Sequence, residues 1–136
     1  MFLIGLVFSF LASVATKTFG ETVALDKNLP VTAVIFERLS ITAYGEYVDA
    51  WALRDFYKKL AKLGVTSGDI SFERRTTLLS RGPMENKLFN YYASGWIILK
   101  HRGRVSVSAA AGAINDEVAA LNNAIYEVIR MVEGAQ

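Results

Sequence analysis

His101 is the only histidine in this chain of 136 residues. It stands between Lys100 and Arg102, where the pattern predicts a hairpin tip. One imidazole cannot supply a multi-histidine metal site, and at a turn it reads as an exposed surface residue. Carboxylates can work in pairs as general acid and base. Glu37, Glu46, Asp49, Asp69, Glu73 and Glu85, however, are scattered over predicted turns and strand edges, and no spacing forces two of them together. Asp49 reads as a helix cap and Glu73 as the partner of a neighbouring arginine. Cysteine is absent, which removes thiol chemistry, zinc–thiolate sites and a lipid-attachment cysteine. No glycine-rich phosphate loop and no nucleophile elbow occurs. The residues therefore assign no catalytic, cofactor or metal role, and a non-catalytic protein without cofactors is expected. A small hydrolase built on carboxylates is the remote alternative, with no pair to name.

Cations and aromatics are concentrated instead. Arg74, Arg75, Arg81, Lys87, Lys100, Arg102 and Arg104 fall within one stretch that holds only Glu73 and Glu85 as acids. Tyr91, Tyr92 and Trp96 are interleaved with them. Arginine and aromatic side chains dominate the energetics of protein interfaces. The candidate interaction surface is accordingly Arg74, Arg75, Tyr92, Trp96, Ile98, Lys100 and Arg102, with a protein as the expected partner. Trp96 reads equally well as a core residue. The net charge of +2 is too small to imply a polyanion by itself.

These residues need elements to position them. Residues 31–36 and 39–44 predict one bent strand or two, with Glu37-Arg38 at the break and Gly45-Glu46 as a turn. Residues 50–63 predict a helix. Asp49 is its N-cap, Leu53, Phe56, Tyr57, Leu60 and Leu63 form the apolar stripe, lysines fill the last turns and Gly64 ends it. Thr66-Ser67-Gly68 reads as a turn. A strand follows over 69–79, with Ile70, Phe72, Arg74 and Thr76 on one side and Ser71, Glu73, Arg75 and Thr77 on the other. Residues 80–90, with Gly82-Pro83, read as a loop. Residues 91–100 predict a strand with Tyr92, Ser94, Trp96, Ile98 and Lys100 on one face. Arg102-Gly103 is a tight turn, residues 104–109 a third strand and residues 110–113 a connector. The last helix is capped by Asn115, with Val118, Leu121, Ile125, Val128, Ile129 and Val132 as its buried stripe.

The expected fold is α+β, in the order β(β)-α-β-β-β-α. Two helices pack on one face of a three- to five-stranded antiparallel sheet. Which sheet face they cover stays open. The helix–three strands–helix order also matches a double-stranded-RNA-binding domain. That resemblance implies cations at the start of the last helix. Here Asn115, Asp116 and Glu117 stand in that place and would repel phosphates, so nucleic acid is not the expected partner.

A second resemblance rests on Leu60-Ala61-Lys62-Leu63-Gly64-Val65, then Asp69-Ile70, then Tyr92-Ala93-Ser94 before an apolar strand, with Tyr44-Gly45-Glu46 ending the strand before the helix. Over part of the chain these residues resemble the SIMPL domain. That resemblance implies an exported domain with a binding role, and it carries over no catalytic residues.

Residues 1–15 are almost wholly apolar, and the first charge is Lys17. The run suits a signal peptide and is short for a bilayer span, which needs about 20 apolar residues. Ser13-Val14-Ala15 offers a cleavage site after Ala15, and Thr18-Phe19-Gly20 a poorer one. Core structure is the remaining reading of such a run. The expected organisation is a signal peptide or membrane anchor over 1–15, a linker over 16–30 with a short strand at 22–25, and a single α+β domain over 31–136. The expected function is a small exported or membrane-tethered binding or assembly module of the cell envelope, periplasmic or extracellular. The alternative is a structural subunit of a larger membrane or virion complex that keeps its apolar N-terminus, with membrane contact through residues 1–15.

Overall fold

The computed structural model describes residues 5–11, 26, 28–80 and 85–136. Six strands and two helices alternate in the order β1 (Gly5–Leu11), β2 (Pro30–Phe36), β3 (Leu39–Tyr44), α1 (Ala50–Lys62), β4 (Val65–Ser80), β5 (Asn86–Leu99), β6 (Gly103–Ile114) and α2 (Glu117–Gly134). The strands form one sheet in sequence order. β2 to β6 are the five strands of the expected domain. β1 pairs antiparallel with β2 at the edge, Gly5 opposite Phe36 and Leu11 opposite Pro30. The remainder of the apolar leader, most of the expected linker, the strand expected at 22–25 and Arg81 lie outside the described residues.

The fold is α+β as expected, but the sheet is mixed rather than antiparallel. β3 and β4 run parallel, with Leu39 opposite Gly68 and Tyr44 opposite Glu73. The cause is α1, which occupies the connection between them. Parallel neighbours require a crossover of this kind, whereas antiparallel neighbours are joined by tight turns. β2 and β3 are two strands, and their turn places Glu37 at φ 34°.

The helix α1 forms as its sequence dictates. The Asp49 side chain accepts a hydrogen bond from the Trp51 amide at 2.9 Å, and Gly64 follows the helix at φ 90°, the left-handed conformation that glycine adopts without penalty. Leu53, Phe56 and Leu60 are buried on its inner face. Phe56 meets Phe72 edge-on and Tyr57 stacks on Phe36. The α2 stripe differs from expectation at its start. Val118 is exposed, while Ala120 and Ala124 are buried beside Leu121, Ile125, Val128 and Val132. The cap is Asp116, whose carboxylate accepts from Ala119. Asn115 sits one residue too early at φ 57° and accepts instead from the Lys87 amide.

Three further boundaries are corrected, each because strand pairing overrides local turn composition. Thr66-Ser67-Gly68 lies inside β4, where a register irregularity between Val65 and Ser67 absorbs it. The stretch expected as a connector continues β6 to Ile114, and β5 begins at Asn86 within the expected loop. Long pairing is possible because glycines permit close approach. Gly95 has φ 134°, and a Cβ there would collide with the Asp69 carbonyl oxygen.

Both helices lie on the sheet face that carries Val34, Ile41, Ile70, Phe72, Tyr91, Ala93, Ile97 and Val107. Toward β2 the opposite face is also closed, since Val31 and Ala33 are buried there. No helix among the described residues is long and apolar enough to cross a membrane.

Candidate functional site

Alternation along β4 puts Arg74 on the helix side and Arg75 on the other. Two polar constellations therefore lie on opposite faces, where sequence proximity suggests one surface.

The first centres on Arg74, a guanidinium buried at 8% exposure. Its Nε reaches Asp26 at 2.5 Å, one terminal nitrogen reaches Glu117 at 2.7 Å and the other reaches Glu46 at 3.1 Å. Glu117, in the first turn of α2, is itself buried. Its carboxylate accepts from four donors: the Glu46 and Tyr47 amides, the Arg74 guanidinium and the Tyr91 hydroxyl. Asp26 also accepts from Thr76, and its own amide donates to the Arg74 carbonyl. One buried carboxylate thus ties the turn after β3, the centre of β4, the middle of β5 and the start of α2. Gly45 is needed here because a Cβ would collide with the Tyr91 hydroxyl.

Electrostatics follow from this packing. Burial by itself lowers the Arg74 pKa, but the hydrogen bonds and charges of Asp26 and Glu117 outweigh it and hold the guanidinium more firmly protonated than usual. Burial pushes the Tyr91 phenol well above its ordinary value, and the adjacent Glu117 charge adds to that. A cavity of about 520 Å³ opens beside the network, with Phe89, Lys87 and Asp116 on its wall. The carboxylates that do converge here are held by Arg74 and by backbone donors. That is how a buried ion cluster is satisfied rather than how a general acid is left free.

The second constellation is the opposite face over β3 to β6. Directly paired residues on a sheet point to the same side, and register sets three rungs there. Ser40, Asp69, Trp96 and Ser106 form one; Thr42, Ser71, Ser94 and Ser108 the next; Tyr44, Glu73, Tyr92 and Ala110 the third. The middle rung is hydroxyl in every strand. Each flanking rung holds an aromatic ring under a guanidinium: Arg75 lies 4.2 Å from the Tyr92 ring centroid and Arg104 lies 4.7 Å from that of Trp96. The Arg75 Nε is buried without a hydrogen-bond partner among the described residues. It borders a hollow of about 570 Å³ shared with Glu73, Ser94 and Ser108.

The candidate surface is therefore partly assembled. Arg75, Tyr92, Trp96 and Ile98 share this face. Arg74 does not belong to it, because its position in the alternation turns it into the Glu117 network. Lys100 and Arg102 sit at the hairpin tip with exposed His101, and Arg102 donates to the Ala135 carbonyl rather than lying on the sheet. Glu73 forms no ion pair among the described residues; it is opposite Tyr92 instead. Arg104 also belongs to the face, although the sequence shows it only as one cation of the general basic stretch. Its strand pairing opposite Ile98 is the signal that places it beside Trp96. The acidic partners of Arg74 come from distant segments, which spacing along the chain does not reveal. Among the described residues no group of three or more acidic, histidine or cysteine side chains is arranged to hold a metal ion.

Compared with protein-family models, with curated proteins and with solved structures, the chain matches none.

Proposed function

We propose that this chain is a small non-catalytic binding or assembly module of the cell envelope, exported or tethered by its N-terminal segment, which engages a protein partner through the face of β4 to β6 opposite the two helices. The observation that carries this reading is the pair of arginine-capped rings, Arg75 on Tyr92 and Arg104 on Trp96, on either side of a hydroxyl rung. Stacking holds each guanidinium in place before a partner arrives, so less side-chain entropy is lost on binding. The hydroxyls and Glu73 add hydrogen-bonding capacity around these anchors. Placement in the envelope rests on the apolar residues 1–15 and on the SIMPL resemblance.

A second reading is favoured by one observation. β1 pairs with β2 along its length, which suits a chain that keeps its N-terminus as a structural subunit of a larger membrane or virion complex. Intact mass of the protein from fractionated cells, read together with the proteins that co-purify with it, separates the two: the structural subunit predicts full-length protein held in a larger complex. The envelope module predicts a mass lacking residues 1–15 in the exported fraction, or the full mass in the membrane fraction if the segment tethers it. Full-length protein confined to the cytoplasm would overturn the envelope placement and leave β1 as part of the fold.

A further inference from the structure

The outer edge of β6 is built to be paired. β6 is the last strand of the sheet. Its register with β5 runs without a shift from Gly103 to Ile114. In an antiparallel ladder, alternate residues turn both N–H and C=O toward the same side. The Gly112 carbonyl is met from outside by the Asn123 side chain at 3.2 Å, so the even-numbered residues face outward. Arg104, Ser106, Ser108 and Ala110 therefore direct their backbone groups away from β5. All four are exposed, and none of these groups has a backbone partner among the described residues.

Natural edges are blunted by charges, proline, bulges or a covering element. β6 has no proline, no bulge and one charge, Arg104, near its start. Among the described residues, Asn123 meets this edge at Gly112.

We infer that two copies of this chain join antiparallel through residues 104–110 of β6, about a two-fold axis at Val107. The strand is self-complementary in that register. Arg104 falls opposite Ala110 of the second copy and Ser106 opposite Ser108, each pair exchanging two backbone hydrogen bonds. Val107 meets Val107, and Val105 meets Ala109. No like charges are opposed on either face. From α2, Glu127 and Arg130 border the same edge as an ion pair at 3.4 Å, so the second copy meets both signs of charge. The pairing is isologous and closes on itself. It would also merge the faces opposite the helices of the two copies into one surface, with the Arg104–Trp96 pairs nearest the axis.

The test is the mass in solution of the full chain, by sedimentation or light scattering, for the wild type and for Ser108→Pro. The Ser108 N–H points away from β5, so proline there removes an intermolecular donor and leaves the β5–β6 ladder intact. The expected result is twice the 15.0 kDa chain mass for the wild type, and a single chain with unchanged circular dichroism for the variant. Should Ser108→Pro fail to fold, Ser108→Lys sets two cations near the axis and is expected to weaken the dimer about ten-fold or more. A monomeric wild type overturns the inference, whether or not a different protein takes the edge. So does a dimer that survives the substitution in folded protein.

Discussion

Glu117→Ala is expected to destabilise the fold by about 3–5 kcal/mol, the cost of removing one partner from a buried ion pair. The carboxylate takes four donors at once. Its loss leaves the Tyr91 hydroxyl buried without an acceptor, and an unsatisfied buried donor alone costs about 1–3 kcal/mol. Arg74 would keep Asp26 and the half-exposed Glu46, but Glu46 adds little because its charge is screened by water. Urea unfolding measures the loss. Amide hydrogen exchange locates it, since Glu46 and Tyr47 donate to the missing carboxylate and should lose protection first. The neighbouring Asp116→Ala removes only a helix cap and is expected to cost about 1 kcal/mol. Equal effects at the two positions would mean that Glu117 acts as ordinary helix N-terminal charge and not as the junction of four segments.

Alkaline conditions are expected to unfold the protein through Tyr91. Its folded pKa is raised, by burial first and then by the Glu117 charge. The folded state therefore holds the phenolic proton more tightly than the unfolded chain. Stability from this group is full below the ordinary tyrosine value near pH 10 and falls as pH rises toward the folded value, by about 1.4 kcal/mol per pH unit. Tyr57 shifts in the same direction, through burial and then Glu37. Unfolding free energies should be nearly flat up to about pH 9 and approach this slope between about pH 10 and about pH 12. Tyr91→Phe removes the titrating proton, so the variant should start less stable yet lose less with pH, keeping only the part due to Tyr57. A Tyr91→Phe slope equal to that of the wild type would place the alkaline limit elsewhere.

The legible parts of this fold were those decided locally. Asp49, the stripe from Leu53 to Leu63 and Gly64 agree on one helix, and period-two alternation put Tyr92 and Trp96 together. Helix order also gave the two-layer α+β arrangement. Parallel pairing of β3 with β4 was not legible, because strand direction depends on where α1 crosses. The ends of β4, β5 and β6 were hidden too. Gly68, Ala110 and Gly112 read as turn or connector residues, and pairing with a neighbour draws them into strands. Arg74 is the instructive case for the site. Alternation already set it on the side of Ile70 and Phe72, where a lone cation is costly. A buried carboxylate was therefore required somewhere, but nothing in the spacing pointed to Glu117, 43 positions away, or to Asp26 before β2. Arg104 was recoverable from its predicted strand alone, once that strand was paired with the one carrying Trp96.

The working face is tested most directly by site-specific photo-crosslinking in cells that make the full chain. A photoreactive phenylalanine analogue replaces Ser94, at the centre of the hydroxyl rung, or Asp55, exposed on α1 on the helix side. The account predicts a discrete adduct from Ser94 that is lost when Trp96→Ala and Arg104→Ala are added, and none from Asp55. Adducts from Asp55 alone, or a Ser94 adduct indifferent to the loss of Trp96 and Arg104, would contradict it.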